Sequence, residues 1–167
     1  MRIYVDTGVL LANIIANDPN HVKAQSLLRK FTNSEFIVSE ISIIEMLSVL
    51  SRNLDLIEIE GINLKVSSTS IVKAIVLLAL KKINAKVQTR KEKLISYKLG
   101  KYNMQISLTY IGAIELSRKI KLRTLDLLHI AFAKQLNAEI FLTLDKEILK
   151  KANVITEETQ IKVIGSD

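Results

Sequence analysis

The stretch from Thr124 to Leu136 constrains the fold most. Leu125, Leu127, Leu128, Ile130, Ala131, Phe132, Ala133 and Leu136 run almost all the way round a helical period, so a helix here is buried on most sides. Yet it carries Asp126 in its first turn. With Thr124 as the N-cap, Asp126 occupies the second helical position, where free backbone N–H groups and the positive end of the helix dipole stabilise an anion. Asp126 is then either an aid to capping or one member of a functional group of carboxylates. If it belongs to such a group, Asp126→Asn relieves repulsion in the absence of a cation instead of costing stability.

Around this helix the chain alternates short apolar runs with longer amphipathic ones. Arg2 to Val5 reads as a strand, followed by Asp6, Thr7 and Gly8 and then a helical run from Val9 to Ala16. Asn17 to Asn20 is a turn, and the helix that follows carries His21 in its first turn, facing solvent. Glu35 to Val38 is a second strand, and Ser39 can cap a helix from Ile41 to Arg52. Ile41, Ile44, Leu47, Ser48 and Ser51 share one stripe of it, and Glu45 lies between apolar neighbours, where the ordinary expectation is that it faces water.

Ser67 to Ile83 is a strongly apolar helix, and Lys86 to Lys93 is a basic run with little apolar periodicity. Leu94 to Tyr102 and Ile106 to Ile120 read as further helices. After the central helix come a strand at Ile140 to Leu142, the sequence Thr143-Leu144-Asp145, a short helix from Lys146 to Ala152 and a last strand at Ile161 to Ile164. Strands alternating with helices predict an α/β fold: a central, mostly parallel sheet of about four or five short strands, with helices on both faces.

Composition narrows the chemistry. The chain has 167 residues, enough for one domain with a substantial core, and 49% of them are hydrophobic. Its most apolar run, Ile71 to Leu80, is interrupted by Lys73 and too short to span a bilayer, so no membrane role is expected. The N-terminus enters a strand almost at once, with no secretory signal, and a cytoplasmic location is expected. There is no Cys, and His21 and His129 lie far apart in sequence, so any metal must be held by oxygen. A net charge of +7 favours a polyanionic partner.

In a parallel sheet the strands end on one edge, where helix N-termini also gather. Asp6 and Asp145 follow strands, Asp126 opens a helix, and Glu45 lies early in a helix that follows a strand, so topology brings all four to one side. Two like charges ~5 Å apart at an effective dielectric of about 20 repel by roughly 3 kcal/mol, which a hard divalent cation would offset.

These residues carry a resemblance. Ile3-Tyr4-Val5-Asp6-Thr7, Glu45 within Ser39 to Glu45, Leu125-Asp126-Leu127-Leu128-His129-Ile130-Ala131, and Phe141-Leu142-Thr143-Leu144-Asp145, in that order, resemble the PIN-domain nucleases and are most similar to the VapC-type toxins. The resemblance covers residues 1–53 and about 105–165 of a single domain spanning 1–167. It implies Mg²⁺- or Mn²⁺-dependent cleavage of single-stranded or structured RNA, with metal-activated water as nucleophile. Asp6 and Asp126 would be direct metal ligands, and Glu45 and Asp145 would hold the ion's waters or a second ion. Thr7 and Thr143 would orient carboxylates or the phosphate, and His129 would pack beside them. It also implies a small VapB-like antitoxin as partner and a homodimer. The departure is a helical, basic insertion at about 54–102, in which Lys86, Arg90, Lys91 and Lys93 could follow an RNA backbone. A housekeeping RNA-processing nuclease and a catalytically silent module that only binds RNA or protein are the alternatives.

Overall fold

The computed structural model describes residues 1–59, 69–89 and 93–166. Five strands, β1 (Arg2–Val5), β2 (Glu35–Ser39), β3 (Lys86–Gln88), β6 (Ile140–Leu142) and β7 (Lys162–Ile164), form one sheet in the order β3-β2-β1-β6-β7. Every pairing in it is parallel. The expected α/β architecture is therefore present.

Period-two alternation sorts the strand side chains into two cores. Ile3, Val5, Phe36, Val38, Ile140 and Leu142 point to one face. There they meet α1 (Thr7–Ile14), α2 (His21–Arg29), α3 (Glu40–Asn53) and α4 (Thr69–Lys82). Tyr4, Ile37 and Phe141 point to the other face, against α5 (Leu108–Lys119), α6 (Thr124–Gln135), α7 (Lys146–Lys150) and α8 (Ala152–Thr159). The ring of Tyr4 stacks on that of Phe141 at 5.4 Å, in register with its neighbour strand. Helix α6 is buried from Asp126 to Ala133, as its all-round apolar sequence requires.

The middle of the chain departs from the sequence reading. Lys86–Gln88, inside the basic run, is the edge strand β3, paired with Ile37 to Ser39. Such a strand buries so little that no apolar alternation marks it. Leu94–Leu99 is not a helix but strand β4, which pairs antiparallel with β5 (Tyr102–Ser107) around Gly100 at φ 58°. A left-handed residue between alternating side chains makes the hairpin, and α5 consequently starts at Leu108, capped by the Ser107 hydroxyl. In α3 the buried face is Ser42, Met46 and Leu50, and Ile44 is 64% exposed. The helix is turned from the expected stripe. His21 is also not free: its Nδ1 contacts the Ala12 carbonyl at 2.7 Å.

The chain runs from β1 outward to β2 and β3, then returns to add β6 on the other side of β1. The C-terminal ends of β1 and β6 thus flank the point where strand order reverses, which is where open α/β sheets place their sites.

Candidate active site

Asp6 directly follows β1 and stands at the N-cap of α1 without capping it through its side chain. Its carboxylate is held across the switch point instead: Thr143 Oγ1, just past β6, donates to Asp6 Oδ2 at 2.7 Å. The same hydroxyl accepts from the Asp145 amide at 3.0 Å, so the fully buried Thr143 ties both acids to one geometry. Burial pushes the Asp6 carboxyl above its ordinary range, and the nearby Glu45 charge adds to this. His129, the Thr143 hydrogen bond and the Thr7 amide oppose it.

Glu45 is only partly turned to water, its side chain 27% exposed. Its Oε2 lies 2.9 Å from Nε2 of His129, which is buried on α6. Burial raises the Glu45 carboxyl, but its hydrogen bond to His129, the Thr7 hydroxyl and the positive charge of Arg123 outweigh it and leave it below the usual range. On the far side of the imidazole, Nδ1 contacts the Tyr4 hydroxyl at 2.8 Å, and that hydroxyl contacts Ser39 Oγ at 2.7 Å and Ser42 Oγ at 3.2 Å. An ionised Glu45 only accepts, so Nε2 carries a proton; in the neutral ring Nδ1 then accepts from Tyr4, whose oxygen accepts from a serine. Burial drives the Tyr4 hydroxyl far above the ordinary tyrosine range and keeps it a donor. Ser39 is at the N-cap position of α3, as the sequence predicts, yet its hydroxyl serves Tyr4 and makes no cap bond.

Asp126 is the third residue of α6, because Arg123 and not Thr124 is the N-cap. Its partner is that Arg: Nε donates to Oδ2 at 2.9 Å and Nη2 to Oδ1 at 3.1 Å. Nη2 also reaches Asp145 Oδ2 at 2.7 Å. The other Asp145 oxygen caps α7, accepting from the amides of Glu147 at 2.7 Å and Ile148 at 3.4 Å. Arg123 therefore supplies a compensating charge at Asp126, whereas Asp6 carries a penalty that comes chiefly from burial.

The four acids expected from sequence lie on one edge as two linked groups. Asp6, Glu45 and His129 each offer a ligand atom, and these atoms lie within 4.8 Å of one another. Asp126 and Asp145 share Arg123, whose charge also reaches Glu45. The donor set suits a hard divalent cation, since carboxylate oxygens dominate it and the His129 proton faces Glu45. The buried Thr7 hydroxyl lies near enough to Glu45 to lower its carboxyl but makes no hydrogen bond of regular geometry, so a bound ion's hydration shell would complete its bonding.

Among the described residues of the basic run, Lys86 and Lys93 are not gathered with the acids. Lys86 Nζ pairs with Glu35 Oε1 at 3.0 Å at the start of the sheet edge, and Lys93 lines a groove with Ile95 of the hairpin, Leu108 of α5 and Lys134 of α6. Arg90 and Lys91 lie outside the described residues. Sequence reasoning missed Tyr4 and Arg123. Both carry a signal: Tyr4 is two residues before Asp6, hence on its side of the strand, and Arg123 is three before Asp126, the spacing of a helical pair.

Acidic side chains gathered at the switch point of a parallel sheet define an α/β domain with a candidate cation site. The chain belongs to the PIN domain family, whose family model matches residues 3–154. Among solved structures it is similar to VapBC2 from Rickettsia felis bound to a DNA fragment from its promoter, with 15% identity, a TM-score of 0.58 and all of both chains covered. It is also similar to VapC20 from Mycobacterium tuberculosis, described as a sarcin-ricin loop cleaving toxin, with 16% identity, a TM-score of 0.56, and 89% of this chain and 93% of that chain covered. At such identities the likeness is one of fold. No curated protein sequence matches the chain. Among the described residues no helix is long and apolar enough to cross a membrane.

Proposed function

We infer that this protein is a divalent-cation-dependent endoribonuclease of the VapC toxin type, a single PIN-like domain acting in the cytoplasm as a homodimer under a small VapB-like antitoxin. The observation that carries the reading is the cluster of Asp6, Glu45 and His129, beside Asp126 and Asp145 joined through Arg123, on the switch-point edge of a PIN fold. The neighbour described as cleaving the sarcin-ricin loop supports structured RNA as substrate, and the VapBC2 neighbour supports an antitoxin partner. The intact acid set favours chemistry over a silent binding module.

Asp6 and Asp126 are the direct ligands of Mg²⁺ or Mn²⁺ in this reading, with Glu45 and Asp145 completing the charge. When bound, the cation supplies a water nucleophile at neutral pH and neutralises charge on the phosphate. The chain supplies the geometry. Thr143 fixes one oxygen of Asp6, His129 fixes one oxygen of Glu45, and Tyr4 fixes the ring of His129. Thr7 offers its hydroxyl to the phosphate or a carboxylate. Residues 54–102, the part expected as an insertion, set substrate choice. Lys93 with Arg90 and Lys91 follows the RNA backbone there, and Lys86, engaged by Glu35, contributes least.

The test is cleavage of an end-labelled structured RNA by the purified chain with Mg²⁺, with Mn²⁺ and with EDTA, beside Asp6→Asn. Discrete cuts that need the cation and Asp6 are expected. Cuts that persist in EDTA, or that Asp6→Asn makes equally well, overturn the reading.

A further inference from the structure

Arg123 breaks a local rule. Helix N-caps favour Ser, Thr, Asp or Asn, and a cation at a helix N-terminus opposes the helix dipole. Here an Arg holds the N-cap position of α6 and its side chain makes no cap bond. What the guanidinium does is span two of the site's carboxylates, from different elements, with both oxygens of Asp126 and one of Asp145. Its side chain is 74% exposed, so it can leave these acids without disturbing the core, whereas Asp126 is 11% exposed and cannot follow.

We propose that Arg123 is the resident cation of the site: its fork holds Asp126 and Asp145 in place, and a divalent ion gains Asp126 only by competing with it. This rests on the reading of the site as a cation-dependent nuclease centre. The physical ground is that a bidentate guanidinium and a small hard cation use the same carboxylate oxygens, so whatever one gains the other must displace. By linkage, the cost of displacing Arg123 appears as weakened cation affinity, and the cation in turn loosens Arg123. Between cations the clamp keeps two acids 19 residues apart in sequence at one spacing, which makes Arg123 a positioning residue as well as a competitor.

The experiment is calorimetric Mg²⁺ titration of the full chain, of Arg123→Gln and of Arg123→Lys, with the Mg²⁺ concentration for half-maximal RNA cleavage measured on each. An exposed pair of good geometry is worth about fivefold in an equilibrium, so both variants should bind Mg²⁺ about fivefold more tightly and reach half-maximal cleavage at correspondingly lower Mg²⁺. Arg123→Lys separates the clamp from the charge, because it keeps the charge and loses the fork. In the unmodified protein the Arg123 Nε–H NMR resonance, identified by its loss in Arg123→Lys, should be slow to exchange in EDTA and fast at saturating Mg²⁺. An Arg123→Lys affinity equal to the parent's, or an Nε–H signal indifferent to Mg²⁺, overturns the proposal while leaving the nuclease reading intact. A parent that neither binds Mg²⁺ nor cuts RNA overturns both.

Discussion

Nε2 of His129 and Oε2 of Glu45 meet at 2.9 Å although 84 residues separate them in the chain. The contact exists because α6 lies across the sheet with His129 aimed at the C-terminal edge, and because α3 is turned so that Met46 and Leu50, not Ile44, face the core. A side chain held at both ring nitrogens has one orientation, and it transmits that orientation to Glu45.

His129→Phe keeps the volume and removes both hydrogen bonds, leaving the buried Tyr4 hydroxyl with Ser39 and Ser42 alone and the half-buried Glu45 carboxylate without its imidazole partner. A loss of about 1–3 kcal/mol in urea denaturation is expected, with RNA cleavage reduced on the order of tenfold or more. Tyr4→Phe, one step further from Glu45, should show a smaller loss of both. If Tyr4→Phe cleaves less well than His129→Phe, the line of transmission is wrong.

The two aspartates proposed as ligands should respond to amidation with opposite signs. The folded Asp6 carboxyl titrates above its ordinary value, so the folded state holds its proton more tightly, and stability falls as pH rises from about 4 through the raised value. Asp6→Asn removes that penalty: in EDTA at pH 7 it should be more stable than the parent, with the advantage disappearing below the ordinary Asp range. Asp126→Asn takes a charge partner from a mostly exposed Arg and should cost a few tenths to about 1 kcal/mol under the same conditions. Thermal melts across pH check both. At 100 times its dissociation constant Mg²⁺ should stabilise the parent by about 2.7 kcal/mol and each variant by less.

What the sequence made legible follows from how local each signal is. Asp6 and Asp145 are placed by strand-to-helix transitions and Asp126 by a helix start, each encoded by a few residues, and β1, β2 and β6 announce themselves by apolar runs between turn signals. Strand β3 is three residues at an exposed edge, so neither burial nor alternation marks it. The hairpin looked helical because Leu94, Ile95, Tyr97 and Leu99 satisfy a helical stripe as well as a strand's alternation, and no strong turn dipeptide stands between its arms. The partners of the acids were hidden for another reason. Thr143 with Asp6, and His129 with Glu45, are contacts between elements distant in sequence, and nothing local specifies them.

Thr143 joins the two ends of the site through one hydroxyl that accepts from the Asp145 amide and donates to Asp6. Thr143→Ser preserves both bonds and loses a methyl group, whereas Thr143→Val preserves shape and takes a hydrogen bond from the buried Asp6 carboxylate and the side-chain partner from the Asp145 amide. The valine variant should lose about 1–3 kcal/mol of stability in EDTA, with much weaker cleavage, and the serine variant should keep cleavage close to the parent. A valine variant as active as the serine variant would show that the hydroxyl is not what the site needs.

Lys86 and Lys93 belong to the same basic run but stand in different settings, which lets salt dependence separate them. Lys86 Nζ is already on Glu35 Oε1, and that bond, together with Arg2, holds the Glu35 carboxyl below its usual range, so an RNA phosphate must compete for the ammonium. Lys93 is exposed at the mouth of the groove beside α5 and α6, with Lys134 on the same lining. Binding of a structured RNA in EDTA, followed by anisotropy over a range of salt, should lose about 0.7 of a unit of log–log slope in Lys93→Gln, the single-strand value for one phosphate contact. Lys86→Gln should leave the slope unchanged. If the two variants lose slope equally, RNA takes Lys86 from Glu35 and the basic run acts as a whole. If neither loses any, its lysines are surface charge and the RNA path runs elsewhere on the cleft.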